Sequence, residues 1–331
     1  MKQTTLRRLI SLAMLLALGV LFTALSGPRF LNANNFIDIV RDASVTAIIG
    51  VGVTMAIITA GIDLSTGSIM AVVGMTMANI YAYTLWPIPV MILCGIVVGL
   101  GCGLMNGYII GQLHVPEFIG TLATMSIFRA LTYMIAIRDA NGVIQSQPMN
   151  ISSYAVLGYA VGYFYFVVIA MIVFVVCGQI FLKYTRLGTE IYAVGANPKA
   201  ATLSGINVAK VKMIVYTIVG FCCSVGAVFT TARLQSATTA VGQDFEFNPI
   251  AAAVVGGVAL SGGSGDVIGT LIGALFMVTL ENGVRKLEMN TAYQYVIKGV
   301  IIILVVMFDA WYKGRMDRAA REQGAKEGVS A

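Results

Sequence analysis

Long apolar runs, broken by short polar segments, make up most of this chain. A membrane-crossing helix needs about 20 predominantly apolar residues. Such runs recur at 9–25, 43–60, 67–85, 88–111, 117–137, 155–182, 211–233, 248–261, 266–282 and 294–312. The eighth is short, and little room for a loop remains around Gly61 to Ser68, so the pattern predicts eight to ten transmembrane helices. The expected fold class is all-α, a polytopic integral membrane protein with two related halves. Residues 1–312 form the membrane domain and 313–331 a basic tail.

Two of the interruptions resemble each other. "GIDLSTGS" (61–68) and "GVALSGGS" (257–264) share five of eight residues without gaps, and each lies between apolar runs. Interrupted spans at matching positions of two halves point to a transport pathway. A tight turn with helix caps is the plainer reading, since Ser65, Thr66 or Ser68 suits an N-cap. That reading leaves Asp63 unexplained, because a charge inside the membrane is costly without a partner. Asp63, Ser65, Gly67, Arg129, Ser261 and Gly263 are therefore candidate structural or gating residues, with Asp63 and Arg129 a possible ion pair.

Composition supports a membrane protein. The 331 residues are 58% hydrophobic and 11% charged, against roughly 25% charged in soluble domains. The net charge of +6 does not point to nucleic acid. Of the 21 basic residues, 13 fall in three segments: the first eight residues, 183–212 and the tail. Ten spans place all three on one side, which the positive-inside rule makes the cytoplasm. Both termini are then cytoplasmic, and Arg285 and Lys286 are a mild exception on the outer side. The first run, preceded by Lys2, Arg7 and Arg8, imitates a signal peptide, but the spans that follow favour an uncleaved helix. The five cysteines lie in apolar runs without metal spacing, and His114 is the only histidine. No metal site, catalytic residue or resident cofactor is expected.

Glycines 95, 99, 103, 107 and 111 recur every fourth residue. They make a bare stripe on one helix face that admits a close neighbour, within the chain or from another subunit. Gly269 and Gly273 repeat the device once. The segment 183–212 contains "NPKAATLSG", with Asn197 suited to an N-cap, Pro198 to the first helical position and Gly205 to a stop. A helix this short is marginal alone. Ala200, Ala201, Leu203 and Ile206 offer it a small docking surface, so a polypeptide partner is expected here.

The blocks "GVTMAIITAGIDLSTGSIMA", "PEFIGTLATMSIFRAL", "IYAVGANPKAATLSGINV" and "IAAAVVGGVALSGGSGDVIGTLIGAL" together resemble the permease subunits of bacterial ribose-type ABC importers, over about 35–312. The resemblance implies a dimeric permease in the bacterial inner membrane, paired with a copy of itself or a paralogue. It also implies a cytoplasmic ABC ATPase that binds ATP and Mg, and a periplasmic or extracellular sugar-binding protein. Glu190, Gly195, Ala196, Asn197, Pro198, Ala200, Ala201, Leu203, Gly205 and Ile206 match the family's ATPase-coupling segment.

A neutral sugar needs hydroxyl and amide partners, and Asn106, Thr121, Thr124, Phe128 and Asn282 are candidate pathway residues. Interhelical hydrogen bonding is the alternative role for each. Lys298 is placed to snorkel outwards. The outer segments 138–154 and 235–248, the latter with Asp244 and Glu246, are candidate docking faces. Two rival functions remain. An ion-coupled transporter would use Asp63, Glu281 and Arg129 as a relay. An intramembrane enzyme lacks a nucleophile–base motif to support it.

Overall fold

The computed structural model describes residues 2–290, apart from 85, 139–140 and 162–163, together with scattered positions from 292 to 307. Most of the tenth predicted span, Lys298 included, and the whole tail lie outside the described residues. Twelve helices are present among them: α1 (Lys2–Ser26), α2 (Ala33–Ile58), α3 (Thr66–Thr84), α4 (Ile88–Gly111), α5 (Glu117–Ile135), α6 (Ser152–Gly158), α7 (Phe166–Tyr184), α8 (Arg186–Ala196), α9 (Pro198–Leu203), α10 (Val208–Leu234), α11 (Phe247–Val255) and α12 (Val267–Lys286). Strand is limited to two-residue pairings, such as Gln147–Pro148 with Ser236–Ala237. Six of the helices, in α1, α4, α5, α7, α10 and α12, are long and apolar enough to cross a membrane.

The long helices α2 and α3 lie inside this set. From Ala43 to Ile58, α2 is buried at nearly every position, and α10, α12, α7 and α11 pack around it. A helix apolar on all sides belongs in such an interior position. Hydroxyl pairs link the layers, as where Thr54 and Thr270 approach to 2.5 Å between α2 and α12. The first helix is built into the body: Ser11 donates to the Val255 carbonyl at 2.6 Å, and Phe22 packs on Gly283.

Two predicted spans differ in the structure. The run 155–182 is divided, because α6 caps α10 instead of continuing into α7. The buried Tyr154 hydroxyl bonds the Val228 carbonyl at 2.9 Å and Thr231 at 2.7 Å. The run 248–261 holds only the nine-residue α11, about 14 Å of helix, which is half a bilayer.

The glycine stripe of α4 packs within the chain, against α10. A β-carbon on Gly107 would stand 2.6 Å from Met213 Cα, and one on Gly103 would stand 3.0 Å from Thr217 Cα. Gly220 of α10 returns the contact against Gly99 and Gly103. Without a hydrophobic drive between helices in lipid, this close van der Waals contact is what holds them together. Gly269 and Gly273 serve likewise between α12 and α11.

Gly101 gives an internal control, since nothing lies within 4 Å of a β-carbon there. Gly103→Leu should destabilise the protein by about 3 kcal/mol or more through overpacking, read as a lower Tm in detergent. Gly101→Ala should leave Tm unchanged.

Candidate functional site

Helix α2 stops at a Schellman motif. Ala60 N donates to the Ile57 carbonyl at 2.8 Å and Gly61 N to the Ala56 carbonyl at 2.9 Å. Ala60 accordingly takes a left-handed φ of 63°, which costs a residue with a β-carbon roughly 1–2 kcal/mol. Helix α11 stops the same way: Gly257, at φ 92°, donates to Val254 and Val258 N to Ala253. The two breaks thus share one hydrogen-bonding device. Their register differs by one residue from the gap-free alignment, with Ala60, not Gly61, corresponding to Gly257.

The first break has no regular secondary structure from Gly61 to Ser65 and is tied by side chains. Asp63 is wholly buried. Its Oδ1 accepts from Ser65 N at 2.8 Å and Ser65 Oγ at 2.6 Å, an Asx turn that leads into α3. Asn106 donates to Ser65 Oγ at 2.7 Å, and Thr121 donates to the Ile62 carbonyl at 3.0 Å. Beside this loop, Lys212 of α10 pairs with Glu117 of α5. The ion pair of Asp63 with Arg129 does not form. Arg129 instead donates to the carbonyls of Thr239 and Val241 at 2.8 and 2.9 Å. Those carbonyls belong to a non-helical segment leading to α11, and Gly242 within it packs on Gly67. Arg129 is therefore the donor that satisfies carbonyls of this irregular segment.

The second break also carries an acid, two residues beyond the repeat. Asp266 caps α12 through Gly269 N at 2.8 Å and takes Arg8 at 3.0 Å. Gln179 of α7 accepts from Val267 N at 3.2 Å. Tyr192 of α8 donates to the Gly265 carbonyl at 2.7 Å. Burial, reinforced by the Asp266 charge, pushes the Tyr192 hydroxyl up to about 12.

These two breaks meet at the end of α8. Gly263 N donates to the Ile58 carbonyl at 2.8 Å. A β-carbon on Gly195 would strike that same carbonyl and stand 2.7 Å from Gly263 N. Ala196 lies against Gly263, while Ser261 is exposed. Asn197 then caps α9, accepting from Lys199 N and Ala200 N at 3.0 and 3.1 Å. Gly205, at φ 82°, ends α9 with a third Schellman pair, its N to Thr202 and Ile206 N to Ala201. Pro198 and Ala200 are exposed, and Leu203 is 90% exposed. Ala201 is 4% exposed and Ile206 packs on the core, so the apolar surface is divided between an inward and an outward face. Glu190 holds Arg186 at 2.9 Å.

Four of the proposed pathway residues are buried. Asn106 and Thr121 hold the first break, Thr124 donates to the Thr121 carbonyl at 3.2 Å, and Phe128 is 1% exposed. Asn282 is buried near the far end of α12, apart from them. The polar cavity that the structure does show lies at the other end of the bundle, about 370 Å³, lined by Asp42, Arg233, Asp244, Asn248 and Arg285 among others. Asp42 binds both Arg233 and Arg285. That pairing gives Arg285 a partner at this end. Sequence spacing gave no signal for this cluster, because its members come from α2, α10, α12 and the segment before α11. Among the described residues no group of three or more metal-ligating side chains comes together.

Comparison with known proteins agrees with this architecture. The family described as "Branched-chain amino acid transport system / permease component" matches residues 35–306. The ribose import permease protein RbsC of Escherichia coli K12 is 38% identical, over 90% of this chain and 92% of its own length. The D-allose transport system permease protein AlsC of the same strain is 36% identical, over 87% of each chain. The galactose/methyl galactoside import permease protein MglC of Haemophilus influenzae is 35% identical, over 91% of this chain and 93% of its own. No solved structure matches the chain at a comparable level of significance. With a match this long, apolar helices fit to cross a membrane and relatives that are transport permeases throughout, the chain belongs to this permease-component family and is a multi-pass membrane protein.

Proposed function

We infer that this chain is the membrane subunit of an ATP-binding cassette importer that carries a monosaccharide into the cell. The observation that carries this reading is the near-full-length similarity to permeases named for ribose, allose and galactose. The α8–α9 unit supplies the mechanical counterpart. It projects a capped, exposed short helix outward and rests its inner end on both helix breaks.

In this reading α9 faces the cytoplasm and docks on a separate ATPase, which binds ATP and Mg. The basic segments on that side set the orientation through the positive-inside rule. Closure of two ATPases moves α9, and the breaks convert that movement into a change of access. A sugar-binding protein delivers the substrate at the opposite end, where the segment 235–248 and the charged cavity lie. A second permease, identical or paralogous, completes the pathway across the inner membrane. Sugar release requires weak, multiple contacts in that pathway.

Reconstitution in proteoliposomes with the ATPase and binding protein tests the function. ATP-dependent uptake from a panel of labelled ribose, allose and galactose is expected, insensitive to ionophores. Uptake driven by an ion gradient without ATP would establish the ion-coupled alternative.

The outward face of α9 can be tested without disturbing the inward one. Ala200→Glu with Leu203→Glu should reduce ATPase binding and uptake at least about tenfold, the effect of roughly 1.4 kcal/mol or more at an interface, while Tm is retained. Ala201→Glu buries a charge and should instead lower Tm.

Asp63 separates turn from charge. Asp63→Asn keeps an acceptor for Ser65 and should preserve both assembly and transport. Asp63→Ala leaves the Ser65 donors unmatched and should cost about 1–3 kcal/mol of stability. Loss of transport in a well-folded Asp63→Asn protein would assign the role to the charge.

A further inference from the structure

The end of α8 touches the two breaks in different ways. Against the end of α2 the contact is backbone packing, Gly195 on the Ile58 carbonyl. Against the second break it includes a side-chain hydrogen bond across 73 residues, from Tyr192 to the Gly265 carbonyl at 2.7 Å. Gly265 has φ 136°, a conformation suited to glycine. It immediately precedes Asp266, the N-cap of α12. Tyr192 therefore holds the residue at which the chain turns from loop into helix.

The other ties of this break come from the spans. Arg8 of α1 holds Asp266, and Gln179 of α7 holds Val267 N. Among the described residues, Tyr192 supplies the side-chain hydrogen bond to this loop that comes from the α8–α9 unit. The first break, by contrast, is tied through side chains of α4 and α5. A displacement of α9 would reach α2 by contact alone, but would pull the start of α12 through a directional bond.

We propose that Tyr192 is a positioning residue that clasps the second helix break to the α8–α9 unit, so that α12 and the end of α2 move together when that unit is displaced. The proposal rests on the importer reading above. A phenylalanine fills the same space but cannot donate, so the clasp is removed and the packing kept. Displacement of α9 would then be transmitted to α2 and only weakly to α12, and ATP would be hydrolysed without matching transport.

The experiment measures sugar uptake per ATP hydrolysed in proteoliposomes containing the permease, its ATPase and its binding protein, with Tm recorded in parallel. Tyr192→Phe should lower that ratio about fivefold, the effect of one hydrogen bond, with binding-protein-stimulated hydrolysis retained. Tyr154→Phe serves as the comparison. It removes a buried hydroxyl that makes two hydrogen bonds at the far end of α10, and should lower Tm while leaving the ratio unchanged. An unchanged ratio in Tyr192→Phe, or an equal fall in both variants, overturns the proposal. Absence of ATP-dependent uptake in the wild type overturns the importer reading, and the clasp falls with it.

Discussion

Irregular backbone inside an apolar bundle must find all its hydrogen bonds within the protein. Much of this structure follows from that requirement, because the chain breaks two helices at depth. Each break closes its helix with the same pair of Schellman bonds, at Ala60–Gly61 and Gly257–Val258. The groups left over are then satisfied one at a time. Ser65 turns on Asp63, Thr121 reaches Ile62, Tyr192 reaches Gly265 and Gly263 meets Ile58. Arg129 performs the same service for the segment before α11. Its guanidinium is spent on carbonyls and not on Asp63.

The surroundings of both breaks are tightly packed. Glycines bring α4 against α10 and α11 against α12. The α8–α9 segment ends on glycine and alanine at the point where both joints meet. A side chain larger than hydrogen at Gly195 would push apart the Ile58 carbonyl and the Gly263 amide. The outward face of α9 is the opposite case: Leu203 is 90% exposed. Buried Ala201 and exposed Leu203 thus lie on opposite faces of one short helix.

Charge is distributed in the same economical way. Asp42 with Arg233 and Arg285, Asp266 with Arg8, and Glu117 with Lys212 link helices distant in sequence. Each pair lies toward an end of the bundle. Asp63, buried at the first break, accepts from the backbone amide and hydroxyl of Ser65, and Asn106 donates to that hydroxyl in turn.

The sequence by itself determined what local chemistry controls. Apolar run length gave the long helices, Asn197, Pro198 and Gly205 bounded α9, and four-residue glycine spacing announced a close helix contact. The repeated glycine-hydroxyl punctuation located both breaks. Tertiary structure decided what depends on residues far apart. It chose α10 as the partner of the glycine stripe, moved the repeat register by one, and divided Ala201 from Leu203. It also set Arg129 on the carbonyls of Thr239 and Val241 and joined Tyr192 to Gly265. Periodicity records which face of a helix is apolar or bare, but not which neighbour that face will meet. A hydrogen bond spanning 73 residues exists only once two helix ends have been brought together in space.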